Sequence, residues 1–286
     1  MLTELRYAFA RQRGSILGWG LSLAALGLFL MPFYQNIVDQ EQEMLQLMAS
    51  YPPELMAFFG RVAAITTPAG FLDAYTSYLP VILGIYTVLA GSGMVVSDEE
   101  AGRLDLILAH PVSRSALFWG RLIALTLATV VLMVIGYLGF ALPLGGSGLD
   151  LTWGQLALPF LAMTSLILCI GAIALLLSMV LPSRRMAASF AGLIMVSSYF
   201  LTSLTRIEEG FKPIARLLPY DYYQGGAAVE GLNLAWFFGL LLSSLLLAGA
   251  AWWLFTRRDI RVGGEGSVQL GSVRSWRRRA HTHVDM

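Results

Sequence analysis

Residues 76–97 read TSYLPVILGIYTVLAGSGMVVS, a run of 22 residues without a charged side chain. A helix needs about 20 such residues to cross the hydrocarbon core of a bilayer, which is roughly 30 Å thick. Three consecutive acids, Asp98, Glu99 and Glu100, follow the run and end it abruptly. The pattern therefore predicts a transmembrane helix that ends at residue 97, beside a strongly polar connection.

Five more apolar runs of similar length occur in the chain. Of its 286 residues, 57% are hydrophobic and 13% are charged, whereas a soluble domain carries about 25% charged residues. We therefore predict an all-α, polytopic membrane protein, with one transmembrane domain over residues 1–256 and a flexible, basic cytoplasmic tail over residues 257–286. The six transmembrane helices are expected near residues 15–36, 76–97, 116–144, 154–182, 186–205 and 233–256. The net charge of +1 gives no indication of nucleic-acid binding.

The distribution of basic residues predicts the orientation of the chain. With six spans, both termini lie on the same side of the membrane. Fifteen of the nineteen lysine and arginine residues then fall on that side. Connections rich in lysine and arginine are typically cytoplasmic. Both termini and the connection after residue 97 are therefore predicted to be cytoplasmic.

The connection, residues 97–114, reads SDEEAGRLDLILAHPVSR. Ser97 and Glu100 have the spacing of a capping box, which satisfies the first backbone amides of a helix. Acids at positions 98–100 also suit the positive end of a helix dipole. Glu99 and Arg103 stand four residues apart, with the acid first, as in a stabilising pair on one helix face. These features predict a single amphipathic helix of about three turns over residues 98–112.

Three apolar side chains, Leu104, Ile107 and Leu108, share one face of this predicted helix. Pro111 disfavours a helical conformation at the residue before it, and Ser113 can cap the helix that follows. A helix of this length measures about 20 Å and is too short to span the bilayer. It could dock its leucine-rich face into a partner, or it could be a solvated connector; the residues alone leave both possibilities open.

Two regions are predicted to face outward. In residues 35–75, apolar residues at near-helical spacing lie on both sides of Pro52 and Pro53, which indicates two short amphipathic helices on the membrane surface or an ordinary packed loop. These apolar residues are Ile37, Met44, Leu45, Met48, Leu55, Phe58, Phe59 and Val62. In the last outer loop, the tyrosines of LPYDYYQGG (residues 218–226) favour an aromatic belt at the membrane surface over a ligand site.

The run EEAGRLDLILAHPVSR, residues 99–114, resembles the coupling segment of ABC transporter permease subunits of the type-2 (exporter) family. In that family an acid, a glycine, a leucine pair and Pro-Val-Ser-Arg recur in this order between the second and third transmembrane helices. The resemblance extends over nearly the whole chain, through MLTELRYAFARQR, YPPELMAFFG, LLPYDYYQGG and TRRDIRV. Arg103 departs from the pattern, because the family usually has threonine after the glycine.

The resemblance implies a permease of an ATP-driven exporter in the plasma membrane of a bacterial or archaeal cell. Such a permease would move an apolar or amphipathic substrate, such as a drug, antibiotic, lipid or peptide, out of the cell. Its implied partners are membrane lipid, a second copy or a similar permease, and two ABC ATP-binding subunits, which would carry the ATP and magnesium. No cofactor is then expected on this chain. The residues implied to couple it to the ATPase are Asp98, Glu99, Glu100, Gly102, Arg103, Leu104, Ile107, Leu108, Pro111 and Arg114.

The residues also argue against an energy source within the chain. A P-loop needs a lysine after glycine to hold phosphate, but the single lysine, Lys212, follows Phe211. The six predicted spans contain no Asp, Glu, Lys or His of the kind that ion-coupled transporters place in the membrane. We therefore predict that the chain is not an enzyme and depends on a separate ATPase.

Two other classes of function were weighed. A metal-dependent intramembrane protease needs several nitrogen or oxygen ligands within the bilayer, and the three histidines, His110, His281 and His283, lie outside the predicted spans. That class is therefore disfavoured. A non-transporting ABC-like module that transmits force to a partner, or scaffolds it, remains open because the same coupling helix would serve it.

Overall fold

The computed structural model describes residues 2–40, 51–52, 65–109 and 112–258. Within these ranges the protein is helical and contains no strand, so the predicted all-α class is confirmed. Most of the expected outer-loop helices, Pro111 and the tail after residue 258 lie outside the described residues.

Twelve α-helices, linked by short turns and 3₁₀ segments, make up the described parts of the chain. They are α1 (Leu2–Arg11), α2 (Arg13–Leu30), α3 (Tyr34–Asp39), α4 (Pro68–Thr76), α5 (Leu79–Gly93), α6 (Val96–Glu100), α7 (Leu104–Leu108), α8 (Arg114–Ala141), α9 (Trp153–Val180), α10 (Arg184–Leu204), α11 (Lys212–Ala215) and α12 (Leu234–Arg257).

The long helices are those that the apolar runs predict. Five helical segments are long and apolar enough to cross a membrane: Arg13–Asp39, Arg114–Gly146, Trp153–Val180, Arg184–Leu204 and Leu234–Arg257. A sixth span forms if α4 and α5, which meet at an angle of 40°, are taken together. The chain is therefore a polytopic membrane protein with five or six spans.

The second span differs from the single helix predicted near residues 76–97. It begins earlier, at Pro68, and it bends before α5. Pro80 explains the bend: it has no N–H to donate to the carbonyl of Thr76, and its ring would collide with that carbonyl in a continuous helix. The Thr76 carbonyl instead accepts a hydrogen bond from the Tyr223 hydroxyl at 3.0 Å. If α4 and α5 form one span, that span also contains the buried Asp73, which lies outside the predicted residues 76–97.

Helix α9 lies at the centre of the bundle and packs against α5, α8, α10 and α12. It is apolar on all sides, as expected of a helix surrounded by others. Helix α8 packs along α2, where a Cβ at Gly139 would lie 2.2 Å from the Cα of Ala24. Such small residues let membrane helices touch backbone to backbone. Helix α12, in contrast, exposes many large apolar side chains along its length.

Candidate functional site

The connection between the second and third spans consists of two short helices. Helix α6 ends at Glu100, α7 begins at Leu104, and Gly102 between them has a φ of +65°. The amide of Gly102 donates to the Glu99 carbonyl at 3.0 Å, and that of Arg103 donates to the Asp98 carbonyl at 2.8 Å. This is the Schellman pattern of a helix that stops at a glycine. The single helix predicted over residues 98–112 is therefore wrong.

Two details of the predicted helix are also wrong. Ser97 lies inside α6, whose N-cap residue is Val95, so no capping box forms with Glu100. Arg103 binds Asp98 rather than Glu99. The cap predicted for the next helix is confirmed, because the Ser113 hydroxyl accepts from the amide of Ala116 at 3.2 Å.

Asp98 is buried and is surrounded by three arginines from three elements. Its carboxylate lies 3.2 Å from Nη1 of Arg11 in α1, and 2.8 Å from Nη2 of Arg103 in the turn. Nη2 of Arg121 in α8 lies 2.8 Å from the other carboxylate oxygen. Burial alone would raise the pKa of Asp98, but the hydrogen bond from Arg103 and the charges of Arg121 and Arg11 outweigh it and lower this pKa. Asp98 is therefore held ionised at neutral pH.

Arg121 is the other buried charge of this group. Its side chain is 5% exposed, and its Nη1 donates to the Met94 carbonyl at the end of α5 at 2.8 Å. Its Nε also lies 3.9 Å from a carboxylate oxygen of Glu4 in α1. This role of Arg121 was not among the predicted functions of the connection. The signal was present, because a lone arginine inside an apolar helix requires a partner.

The other two acids of α6 bind different helices. Glu99 is 3% exposed and forms an ion pair with Arg258, the residue after α12. Glu100 accepts a hydrogen bond from the backbone amide of Arg184, at the start of α10, at 2.8 Å. Arg114, the first residue of α8, donates to the Arg258 carbonyl at 2.8 Å. The three consecutive acids thus join the connection to α1 and α8, to the end of α12, and to the start of α10.

The apolar side of the connection faces into the protein. Leu104 is 1% exposed, while Ile107 and Leu108 are half-buried against a core that includes Phe118 and Phe255. The apolar face that could have docked into a partner is therefore largely packed against the chain's own helices. The exposed side consists of Ala101, Gly102, Arg103, Asp105, Leu106 and Ala109. Leu106 is 69% exposed and is the large apolar residue on that side.

Comparisons with known proteins agree with this architecture. Residues 10–260 match the family model described as ABC-2 family transporter protein. The chain is also 23% identical, over 206 residues, to the uncharacterized membrane protein YdbK of Bacillus subtilis (strain 168); the match covers 68% of this chain and 83% of that protein. The family match covers most of the chain, including every long helix and the charged connection. The chain therefore belongs to the ABC-2 family of transporter proteins, as a multi-pass membrane component of an ABC transporter and not its ATPase.

Proposed function

We propose that this chain is the permease of an ATP-driven exporter and that α6 and α7 receive the motion of a separate ATPase. In this proposal two permease chains and two ATP-binding subunits form the transporter. The excess of arginine at the α6 end of the bundle supports a cytoplasmic position for both termini in a bacterial or archaeal cell membrane. The largely apolar spans suit an apolar or amphipathic substrate, which would be moved outward.

The observation that carries the proposal is the division of the three acids of α6 among different spans. A push on the connection would reach α1 and α8 through Asp98, α12 through Glu99 and α10 through Glu100. Packed helices respond to such a push by rigid-body shifts between discrete arrangements. The connection has the anchors needed to move several spans together.

The exposed side of the connection supplies a docking surface for the ATPase. Arg103, Asp105 and Leu106 lie on this side. An exposed apolar side chain near two charges of opposite sign is suited to a small interface, in which the buried apolar side chain contributes affinity and the charges fix the orientation of the partner. Leu104 and Leu108 would then act indirectly, by holding α7 against the core.

The proposal is tested by co-purifying the chain with its ABC ATPase and measuring ATP hydrolysis in lipid. Leu106→Asp is expected to lose the bound ATPase or its stimulation by the permease. Leu217→Asp is the matched control, because Leu217 is 84% exposed and lies outside the connection; this variant is expected to behave as wild type. Full binding and coupling in Leu106→Asp would contradict the proposed docking surface.

The same preparation separates export from the alternative function. Substrate movement into sealed vesicles, driven by ATP and lost in Leu106→Asp, would support an exporter. If the ATPase binds and is stimulated but no apolar or amphipathic compound moves, the chain is instead a membrane module that transmits force to a partner or scaffolds it.

A further inference from the structure

A cavity of about 310 Å³ lies beside the charged connection. Its walls come from α1, the start of α2, the end of α5, α8 and the start of α10. Three arginines line it, Arg11, Arg121 and Arg184, and none of its fifteen lining residues is acidic. The cavity therefore presents an excess of positive charge.

Arg184 is the arginine of this cavity whose charge is least compensated. Arg11 and Arg121 share Asp98. The Arg184 guanidinium donates to the Leu89 carbonyl at 3.2 Å, and among the described residues no carboxylate lies within ion-pair distance of it. Glu100 binds the backbone amide of Arg184 rather than its side chain. A bound anion would complete the charge balance of this side chain.

The position of the Arg184 guanidinium depends on a close approach to α5. A Cβ at Gly93 would lie 2.9 Å from Nε and 3.0 Å from Cζ of Arg184. Glycine at position 93 thus leaves room for the guanidinium to lie against the end of α5, at the rim of the cavity. The partly buried Arg184 side chain therefore lies against α5, where its guanidinium donates to the Leu89 carbonyl.

Part of the cavity wall is apolar. Trp19, Leu89 and Leu125 come from the spans themselves. Tyr7 and Leu89 are 59% and 48% exposed, so the cavity is not closed at this side. A cationic end beside an apolar, open wall, at the point where the spans begin, matches an amphiphile with a negatively charged head.

We propose that this cavity binds the phosphate-bearing headgroup of a membrane amphiphile whose head carries a net negative charge, with its hydrocarbon part along Leu89 and the exposed side of α5. Arginine binds phosphate through two parallel hydrogen bonds. The volume lies at the lower end of the range for pockets that enclose drug-sized ligands, about 300–1,000 Å³, so the cavity has room for a headgroup while the longer hydrocarbon chains stay outside it. Binding requires no ATPase, so this proposal and the proposed export function can fail separately.

The experiment uses the purified full-length permease in neutral detergent. Native mass spectrometry would measure the binding of phosphatidylglycerol and of phosphatidylcholine with identical chains. We expect wild type to prefer phosphatidylglycerol, and Arg184→Gln to bind it roughly tenfold more weakly, the usual loss for one charge-assisted hydrogen bond. Arg185→Gln is the matched control: the same charge is removed from the exposed neighbour, which does not line the cavity, and binding is expected to persist.

A second variant tests the position of the charge rather than its presence. Gly93→Ala keeps all three arginines but places a methyl group 2.8 Å from the Ser97 hydroxyl and 2.9 Å from Nε of Arg184, so both side chains must move. It is expected to weaken phosphatidylglycerol binding several-fold. Size-exclusion profiles and Tm values equal to those of wild type establish that each variant is folded. If Arg184→Gln does not fold, Gly93→Ala still decides the question.

Three results would overturn the proposal. The first is equal binding of the two lipids by wild type, and the second is an equal loss in the Arg184 and Arg185 variants. The third is competition by millimolar inorganic phosphate that depends on Arg184, since this would identify free phosphate rather than a membrane amphiphile as the ligand.

Discussion

Two buried aspartates lie at opposite ends of α5 and are satisfied in different ways. Asp98 is surrounded by long arginine side chains from α1, α8 and the turn after α6. Asp73, in α4, accepts a hydrogen bond at 3.1 Å from the backbone amide of Gly226. The first arrangement depends on charge and tolerates small shifts of flexible side chains. The second depends on the close fit of two backbone segments.

The fit at Asp73 requires two glycines. A Cβ at Gly225 would lie 2.2 Å from Oδ1 of Asp73, and one at Gly226 would lie 2.1 Å from its backbone nitrogen. Gly225 also has a φ of +57°, in the region that favours glycine. The α6 end of the bundle is therefore held by side chains that can adjust, as the proposed transmission of motion from an ATPase would require. At the other end, the contact of Asp73 with Gly225 and Gly226 forms a fixed clamp on the bent span.

The largest effect is expected from removing the charge of Asp98. Asp98→Asn leaves Arg121 buried without its closest carboxylate, and breaking a buried pair in this way costs about 3 kcal/mol. Arg11 and Arg103 are half exposed and contribute little to that loss, because solvent screens them. Thermal unfolding in detergent should show a strongly lowered Tm. Asp105→Asn, an exposed acid of the same connection, should leave Tm nearly unchanged; equal effects of the two variants would contradict the importance of the buried pair.

Breaking the clamp at the other end should have the second-largest effect. In Gly226→Ala the new methyl group meets backbone atoms of Asp73 and Ala69, which cannot turn away as a side chain can. Overpacking of this kind costs about 2 kcal/mol. Gly249→Ala is the control, since a Cβ at Gly249 meets no atom within 4 Å. A Gly226→Ala protein as stable as Gly249→Ala would show that the bent span is not clamped here.

Acid should weaken the Asp98 end selectively. The pKa of Asp98 is lowered in the folded protein, so its contribution to stability is complete above the unfolded value of about 3.9 and is lost as the pH falls through the folded pKa. Wild type should therefore lose Tm below about pH 4 more steeply than Asp98→Asn, which has no carboxylate to protonate at this position. Parallel pH profiles for the two proteins would contradict the direction of the shift.

The connection shows what the sequence could and could not predict. The apolar runs predicted the long helices because a membrane leaves few other structures for them. The spacing of Leu104, Ile107 and Leu108 indicated an apolar face and left open whether that face is covered. The spacing alone could not show whether this face packs against a partner protein or against the chain's own core. In the structure it packs against a core that includes Phe118 and Phe255. The end of α6 before Gly102 could be predicted from the sequence, because helices commonly end at a glycine.

The pairs at both ends of α5 depend on contacts between distant parts of the chain. The position of Arg121 in an apolar helix indicated that this residue needs an acidic partner. It did not indicate which of the nearby acids is that partner. Asp73 and Gly226 are 153 residues apart, and no local pattern links them. The bend between α4 and α5 was predictable from Pro80, whereas the donor that satisfies the released Thr76 carbonyl was not.

Removing this donor, the Tyr223 hydroxyl, is expected to have the smallest effect on Tm, and it tests one hydrogen bond of the clamp. Tyr223→Phe removes the hydroxyl that binds the Thr76 carbonyl at 3.0 Å and keeps the ring that packs against Tyr220. Loss of one such hydrogen bond costs about 1 kcal/mol. Tyr222→Phe is the control, because its hydroxyl binds the Arg216 carbonyl in a more exposed position, and a smaller fall in Tm is expected.

Combining Tyr223→Phe with Gly226→Ala tests whether the clamp acts as a unit. If it does, Tyr223→Phe should lower Tm little further in the Gly226→Ala protein, because Gly226→Ala has already loosened the contact that the Tyr223 hydroxyl makes. Full additivity would mean that the two contacts hold the bent span independently.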